Sequence, residues 1–122
     1  MAIEKNITIG GQQLRMRASA LIPRLYRAKF GRDMVTDMRK LQGSLRDVLD
    51  DETGEKQLDI VDLTIFENVA WLMAKHADPE VPSDPDEWLD SLPGVLSIYE
   101  VLPDIMELWS QNNVTTSVPR KK

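Results

Sequence analysis

The chain is 122 residues long, 42% hydrophobic and 29% charged, with no cysteine and a net charge of −5. That length fits a single domain whose core holds without covalent staples, and the lack of cysteine rules out disulfides and thiolate metal sites. The longest unbroken apolar run, Val69 to Ala74, is far too short to cross a bilayer, and Met1–Asn6 lack the apolar run of a signal peptide, so a soluble cytoplasmic domain is expected.

The N-terminal pattern predicts a β-hairpin over about residues 5–18. Asn6–Ile9 and Gln12–Arg17 alternate polar and apolar side chains around Gly10-Gly11, and a primed turn needs the positive φ that glycine supplies. Two strands alone are marginal in water, so the hairpin must lean on helices or pair with another copy. A short helix follows over Ala20–Gly31, punctuated by Pro23 near its start and Gly31 after its end. Asp33 caps a second helix running to about Asp50, with Met34, Met38, Leu41, Leu45, Val48 and Leu49 on one stripe. Gly43 inside it weakens it by roughly 1 kcal/mol relative to alanine. Asp50–Gln57 is a polar link.

The segment 59–78 predicts a long helix, apolar on most of its circumference. Leu63, Phe66, Ala70, Met73 and Ala77 form one stripe, and Val61, Ile65, Val69 and Leu72 form a second beside it. Such a helix is covered from more than one side, so it is expected at the centre. Asp59 is its N-cap, and Asp78-Pro79 stops it. Asp84-Pro85-Asp86-Glu87 opens a short helix carrying Trp88, Leu89 and Leu92. A last helix is expected from a capping box at Ser97–Glu100 to about Ser110, with Pro103 kinking it or moving its true start to about residue 102. The expected whole is mainly α: an N-terminal hairpin and about five helices packed around a central apolar helix. It makes one domain over 1–112 with a flexible C-terminal tail over 113–122.

Charge divides the chain. Residues 1–57 hold 11 Lys/Arg against 8 Asp/Glu, whereas 58–118 hold 12 acids against Lys75 alone. This polarity favours contact between the halves, or head-to-tail contact between copies. His76 is the lone histidine and lies where a helix macrodipole favours a partly charged imidazole, so a structural role is expected. The acids at Asp50, Asp51, Glu52 and Glu55, and at Asp84, Asp86 and Glu87, lack calcium-loop spacing and read as caps and solvated turns. With no phosphate loop, nucleophile motif or dinucleotide fingerprint, neither an enzyme, a cofactor, a metal nor a nucleic-acid partner is expected.

Several pieces, in order, resemble the tail assembly chaperones of long-tailed bacteriophages and prophages. They are Pro23-Arg24-Leu25-Tyr26-Arg27 with Phe30-Gly31-Arg32-Asp33, Phe66-Glu67-Asn68 with Ala70-Trp71 and Met73-Ala74-Lys75, and Ala77-Asp78-Pro79. Pro85-Asp86-Glu87-Trp88-Leu89, Tyr99-Glu100-Val101-Leu102-Pro103 and Glu107-Leu108-Trp109 complete the set, which spans about residues 20–110. Ile22 departs from it, standing where a capping threonine is expected before the proline.

The resemblance implies a protein that binds the tape measure protein in the host bacterial cytoplasm and helps recruit tail tube subunits around it. Such a protein leaves before the virion is complete. Members of the family also make a longer product by frameshifting, with which adenine-rich codons for Lys121-Lys122 are compatible. Tyr26, Phe30, Trp88, Tyr99 and Trp109 are aromatics on shorter or peripheral helices that either complete the domain's own core or anchor a partner, and with Arg24, Arg27 and Arg32 they are the candidate partner contacts. Arg24, Arg27 and Arg32 beside Tyr26 and Phe30 make the expected patch. Two other classes stand beside this one. A structural tail or head–tail connector subunit would stay in the particle, and an acidic inhibitor would mimic DNA through its negative half.

Overall fold

The computed structural model describes residues 2–94 and 97–117. Its architecture is the expected one, mainly α with an N-terminal antiparallel hairpin. Strands β1 (Ile3–Ile9) and β2 (Gln12–Ala18) pair from Ile9 opposite Gln12 to Ile3 opposite Ala18. Gly10 and Gly11, at φ 55° and 83°, form the turn. Two positive φ values match the right-handed twist of the strands. Gly10 answers a second demand, because a Cβ there would lie 2.7 Å from Cγ of Pro93. The inner face, Ile7, Ile9, Met16 and Ala18, is buried, while Glu4, Asn6, Thr8, Gln13 and Arg15 face water.

Five α-helices follow: α1 (Ile22–Phe30), α2 (Met34–Asp50), α3 (Ile60–Ala77), α4 (Pro85–Ser91) and α5 (Leu102–Ser117). Their ends follow the capping residues. Gly31 closes α1 at φ 68°, Asp33 accepts from the backbone N–H groups of Val35 and Thr36, and Asp84 accepts from that of Asp86. Asp59 and Asp62 form a reciprocal capping box on α3, at 2.8 and 3.1 Å. A 3-10 turn (Ser97–Val101) precedes α5, so Pro103 falls in the first turn of α5, where its missing N–H costs no hydrogen bond. The Ser97 side chain on which the expected capping box rests lies outside the described part. Helix α5 runs on to Ser117, through the first residues assigned to a tail; 118–122 lie outside the described residues.

Helix α3 is the centre. The hairpin, α1, α2, α4 and α5 all pack against it, and Ile65, Phe66, Val69–Ala74 and Asp62 are buried. The expected stripe fails at its N-terminal end, where Ile60 is 81% and Val61 47% exposed. Helix α2 shows the same pattern. Met34, Met38 and Leu41 are buried, but Leu45 and Val48 are half-covered and Leu49 is 75% exposed. The cause is length: α2 touches the first turn of α3 near Lys40, and its last turns run past the end of the helix that covers it.

Ion pairs join the two halves of opposite charge. Lys5 reaches Asp104 at 2.9 Å and Glu107 at 2.7 Å, and Lys40 reaches Asp59 at 3.2 Å and Asp62 at 2.7 Å. The buried carboxylate of Asp37 ties α1 to α2. It accepts from Tyr26 Oη at 2.8 Å, from Arg32 Nε at 2.7 Å and from Arg32 Nη2 at 2.8 Å. The Arg32 guanidinium, helped by the Tyr26 hydroxyl, holds the Asp37 carboxyl below the usual carboxylate range against the opposing effect of burial. Burial and the adjacent Asp37 carboxylate push the Tyr26 phenol well up.

A carboxyl depressed by folding stabilises the fold above the ordinary carboxylate pKa of about 3.9 and loses that contribution as the pH falls through its folded value. Asp37→Asn is therefore expected to cost about 2–3 kcal/mol at neutral pH, and Tyr26→Phe about 1.5 kcal/mol. Urea denaturation checks both. The gap between wild type and Asp37→Asn should narrow as the pH drops below 4, and a constant gap would show that the charge of Asp37 is not what matters.

Candidate interaction surface

The candidate partner residues divide by burial. Tyr26 and Trp88 are buried, at 0% and 2% exposure, and so is Trp109. These three belong to the chain's own core: Tyr26 turns inward to reach Asp37, and Trp88 and Trp109 lie on the inner faces of α4 and α5. Tyr99, on the 3-10 turn, is half-buried, donates to Glu67 Oε2 at 2.9 Å and lies 5.9 Å from the Phe66 ring. Phe30 is half-buried between Tyr26 at 5.0 Å and Trp71 at 5.9 Å. Arg32 has an exposed stem, but its guanidinium is spent on Asp37. Of the eight, Arg24 and Arg27 alone stand in water without an ion pair among the described residues.

What the structure places beside Arg24 is a groove. It runs between α1 and the C-terminal half of α3, encloses about 440 Å³, and is lined by Leu25, Ala28, Lys29, Trp71, Leu72, Lys75 and His76. Helical spacing sets Leu21, Arg24, Leu25 and Ala28 on one face of α1, and Leu21 is 47% exposed. Arg27 lies further round, on the solvent side. The floor is rigid. Trp71 Nε1 donates to Pro82 O at 2.8 Å, and the Lys75 ammonium donates to Pro79 O at 2.8 Å and Val81 O at 2.7 Å, binding the loop after α3 to the helix. Lys29 holds its ammonium 5.5 Å from the Trp71 ring centre and 3.4 Å from Ser83 O.

At one end of the groove, His76 Nε2 lies 3.0 Å from Ser19 Oγ, the residue just beyond β2. Burial and the nearby Arg17 cation lower the His76 pKa, while Glu4 opposes them. The neutral imidazole is thus favoured, against the partly charged form that the helix macrodipole favours. Leu21 N–H also donates to the Ser19 hydroxyl, at 3.2 Å.

Recesses elsewhere among the described residues include two that differ from the groove in lining. One, of about 200 Å³, lies beside Tyr26 and Arg32 against Ile60, Val61, Thr64, Ile65 and Asn68. The other, of about 340 Å³, is bounded by Gln42, Leu45, Arg46, Leu49, Asp50 and Met106. The acidic turn after α2 is tied up internally: Asp51 accepts from the backbone N–H groups of Thr53, Glu55 and Lys56 and from the Thr53 hydroxyl. Among the described residues no group of three or more His, Asp or Glu side chains is placed to hold a metal ion, and no helix is long and apolar enough to cross a membrane.

No family model, curated protein or solved structure matches this chain.

The neutral state of His76 has a sign that can be checked. A histidine whose folded pKa is depressed stabilises the fold above its unfolded value of about 6.5 and loses that contribution as the pH falls. Denaturation at pH 7, 6 and 5 should show stability declining in the wild type and declining less in His76→Gln. Equal declines would place the titrating group elsewhere.

Proposed function

We propose that this chain is a phage tail assembly chaperone. It binds the tape measure protein in the bacterial cytoplasm, keeps it soluble, helps bring tail tube subunits to it, and is released before the virion is complete. The observation that carries the reading is the α1–α3 groove, a trough between two helices with Trp71 and Leu72 at its base and Leu25 and Ala28 on its α1 side. A trough of this kind suits the apolar face of a helical segment, which is how amphipathic helices are commonly captured. The ordered residues that resemble the chaperone family supply the name of the partner. Arg24 and Lys29 stand at the edge of the same trough. Its modest size favours reversible capture, as a protein that must leave requires. Self-association through the oppositely charged halves stands beside this role.

Co-expression with the tape measure protein of the same phage or prophage tests the proposal. The tape measure protein should become soluble and co-purify with this chain, and Leu25→Asp should reduce the yield of the complex at least several-fold. An insoluble, unbound tape measure protein would count against the chaperone. Mass spectrometry of purified virions separates the alternative: this chain in stoichiometric amount would make it a structural tail or connector subunit.

A further inference from the structure

Charge sets the α1–α3 groove apart from the other recesses. Its lining contains Lys29 and Lys75 and no carboxylate, and Arg24 stands on the same face of α1. In the recess beside α5, Arg46 is accompanied by Asp50. In the recess beside Tyr26, Arg32 is already bonded to Asp37. The ion pairs of the described fold use Lys5, Arg17, Arg32 and Lys40 and none of the groove's cations. Lys29 and Lys75 donate to carbonyl oxygens and form no ion pair among the described residues. Asp78 and Glu80, the acids next along the chain from Lys75, form no ion pair with it. At the far end, burial and the nearby Arg17 cation disfavour the charged form of the His76 imidazole. A chain of net charge −5 thus keeps three cations around one apolar trough.

We propose that this groove takes an amphipathic helix whose apolar stripe is flanked by Asp or Glu. The apolar stripe would seat on the half-buried Leu25 and the exposed Ala28, above a floor of Trp71 and Leu72 that the fold already covers, displacing water from the rim. The acidic flanks would meet Arg24 and Lys29 on one side and Lys75 on the other. The lining runs over residues 25–29 of α1 and 71–76 of α3, so the trough accommodates about one and a half turns of a bound helix. Electrostatic complementarity of this kind selects the partner and speeds encounter more than it adds affinity, so binding is salt-sensitive and reversible. A basic helix of the same apolar pattern would be rejected by like charges. The proposal rests on the groove identified above as the capture site and assigns the chemistry of the segment that enters it.

The test uses the whole chain and fluorescently labelled synthetic helices. One peptide of about 14 residues carries a Leu/Ala stripe flanked by Glu; a second carries Lys at the same positions. Anisotropy titration at 50 mM NaCl should show the acidic peptide binding at least tenfold more tightly than the basic one, with affinity falling several-fold at 300 mM NaCl. Arg24→Glu, at a side chain with no ion pair to lose, should weaken the acidic peptide at least threefold. Arg24→Glu with Lys29→Glu should reverse the preference, circular dichroism confirming that both variants fold. Equal binding of the two peptides, or a preference that survives the double variant, would overturn the assignment. If neither peptide binds while the wild-type chain still solubilises the tape measure protein, the groove's chemistry is wrong and the chaperone reading stands. If the acidic peptide binds and responds to the charge reversal while the tape measure protein stays insoluble, the groove assignment stands and the chaperone reading falls.

Discussion

Everything in this fold answers to the need to hide α3. A helix apolar on most of its circumference has no stable face to offer water, and each buried leucine, isoleucine or phenylalanine side chain contributes about 1.5–3 kcal/mol. Coverage must therefore come from several directions, and it does, from the hairpin, α1, α2, α4 and α5. The few charged groups on α3 are where the covering elements are fastened. Asp62 closes the helix's own capping box and receives Lys40 of α2. Glu67 accepts the Tyr99 hydroxyl, and Lys75 gathers the loop leading to α4. Polar residues on a buried helix are thus its points of attachment, each satisfied by a different neighbour, as burial of a charge requires.

Recesses remain at two places, one of them alongside α1 and the C-terminal half of α3. Phe30 seals Trp71 from one side, and the remaining gap becomes the α1–α3 groove. At the opposite end, α2 overruns α3 and leaves Leu49, Ile60 and Val61 in water. Surface of this sort marks interaction sites when it is contiguous. Of the three recesses described, the groove is the one lined by two lysines and no carboxylate.

The helices and their boundaries were legible because the capping chemistry is local. Asp33, Asp59, Asp84, Pro23, Pro85 and Gly31 act within a turn of where they stand, and the hairpin followed from two adjacent glycines. The interaction surface was less legible. Tyr26, Trp88 and Trp109 were candidate partner contacts because they lie on short or peripheral helices, but helical phase, not helix length, decides which side an aromatic takes. Tyr26 shares its phase with Ile22, which is buried. Leu25, Ala28 and Lys75 were not read as one surface because the groove joins two helices distant in the chain, and periodicity within either one says nothing about the space between them. Asp37 gave no signal for the same reason: its partners lie on α1 and in the turn, and only the packing of α1 on α2 shows why an acid sits on an inward face.

The hairpin's fastening carries a consequence for how the chain assembles. Lys5 reaches Glu107 across 102 residues, and Gly10 N–H reaches Glu100 across 90. Contacts so distant in sequence are slow to form, because a long loop must close before they are rewarded. The hairpin is therefore among the last elements to be secured. Until α5 arrives, β1 and β2 hold their mutual pairing and their seat on α3, with strand edges open to any extended chain nearby. The hairpin is thus a latch, and α5 closes it.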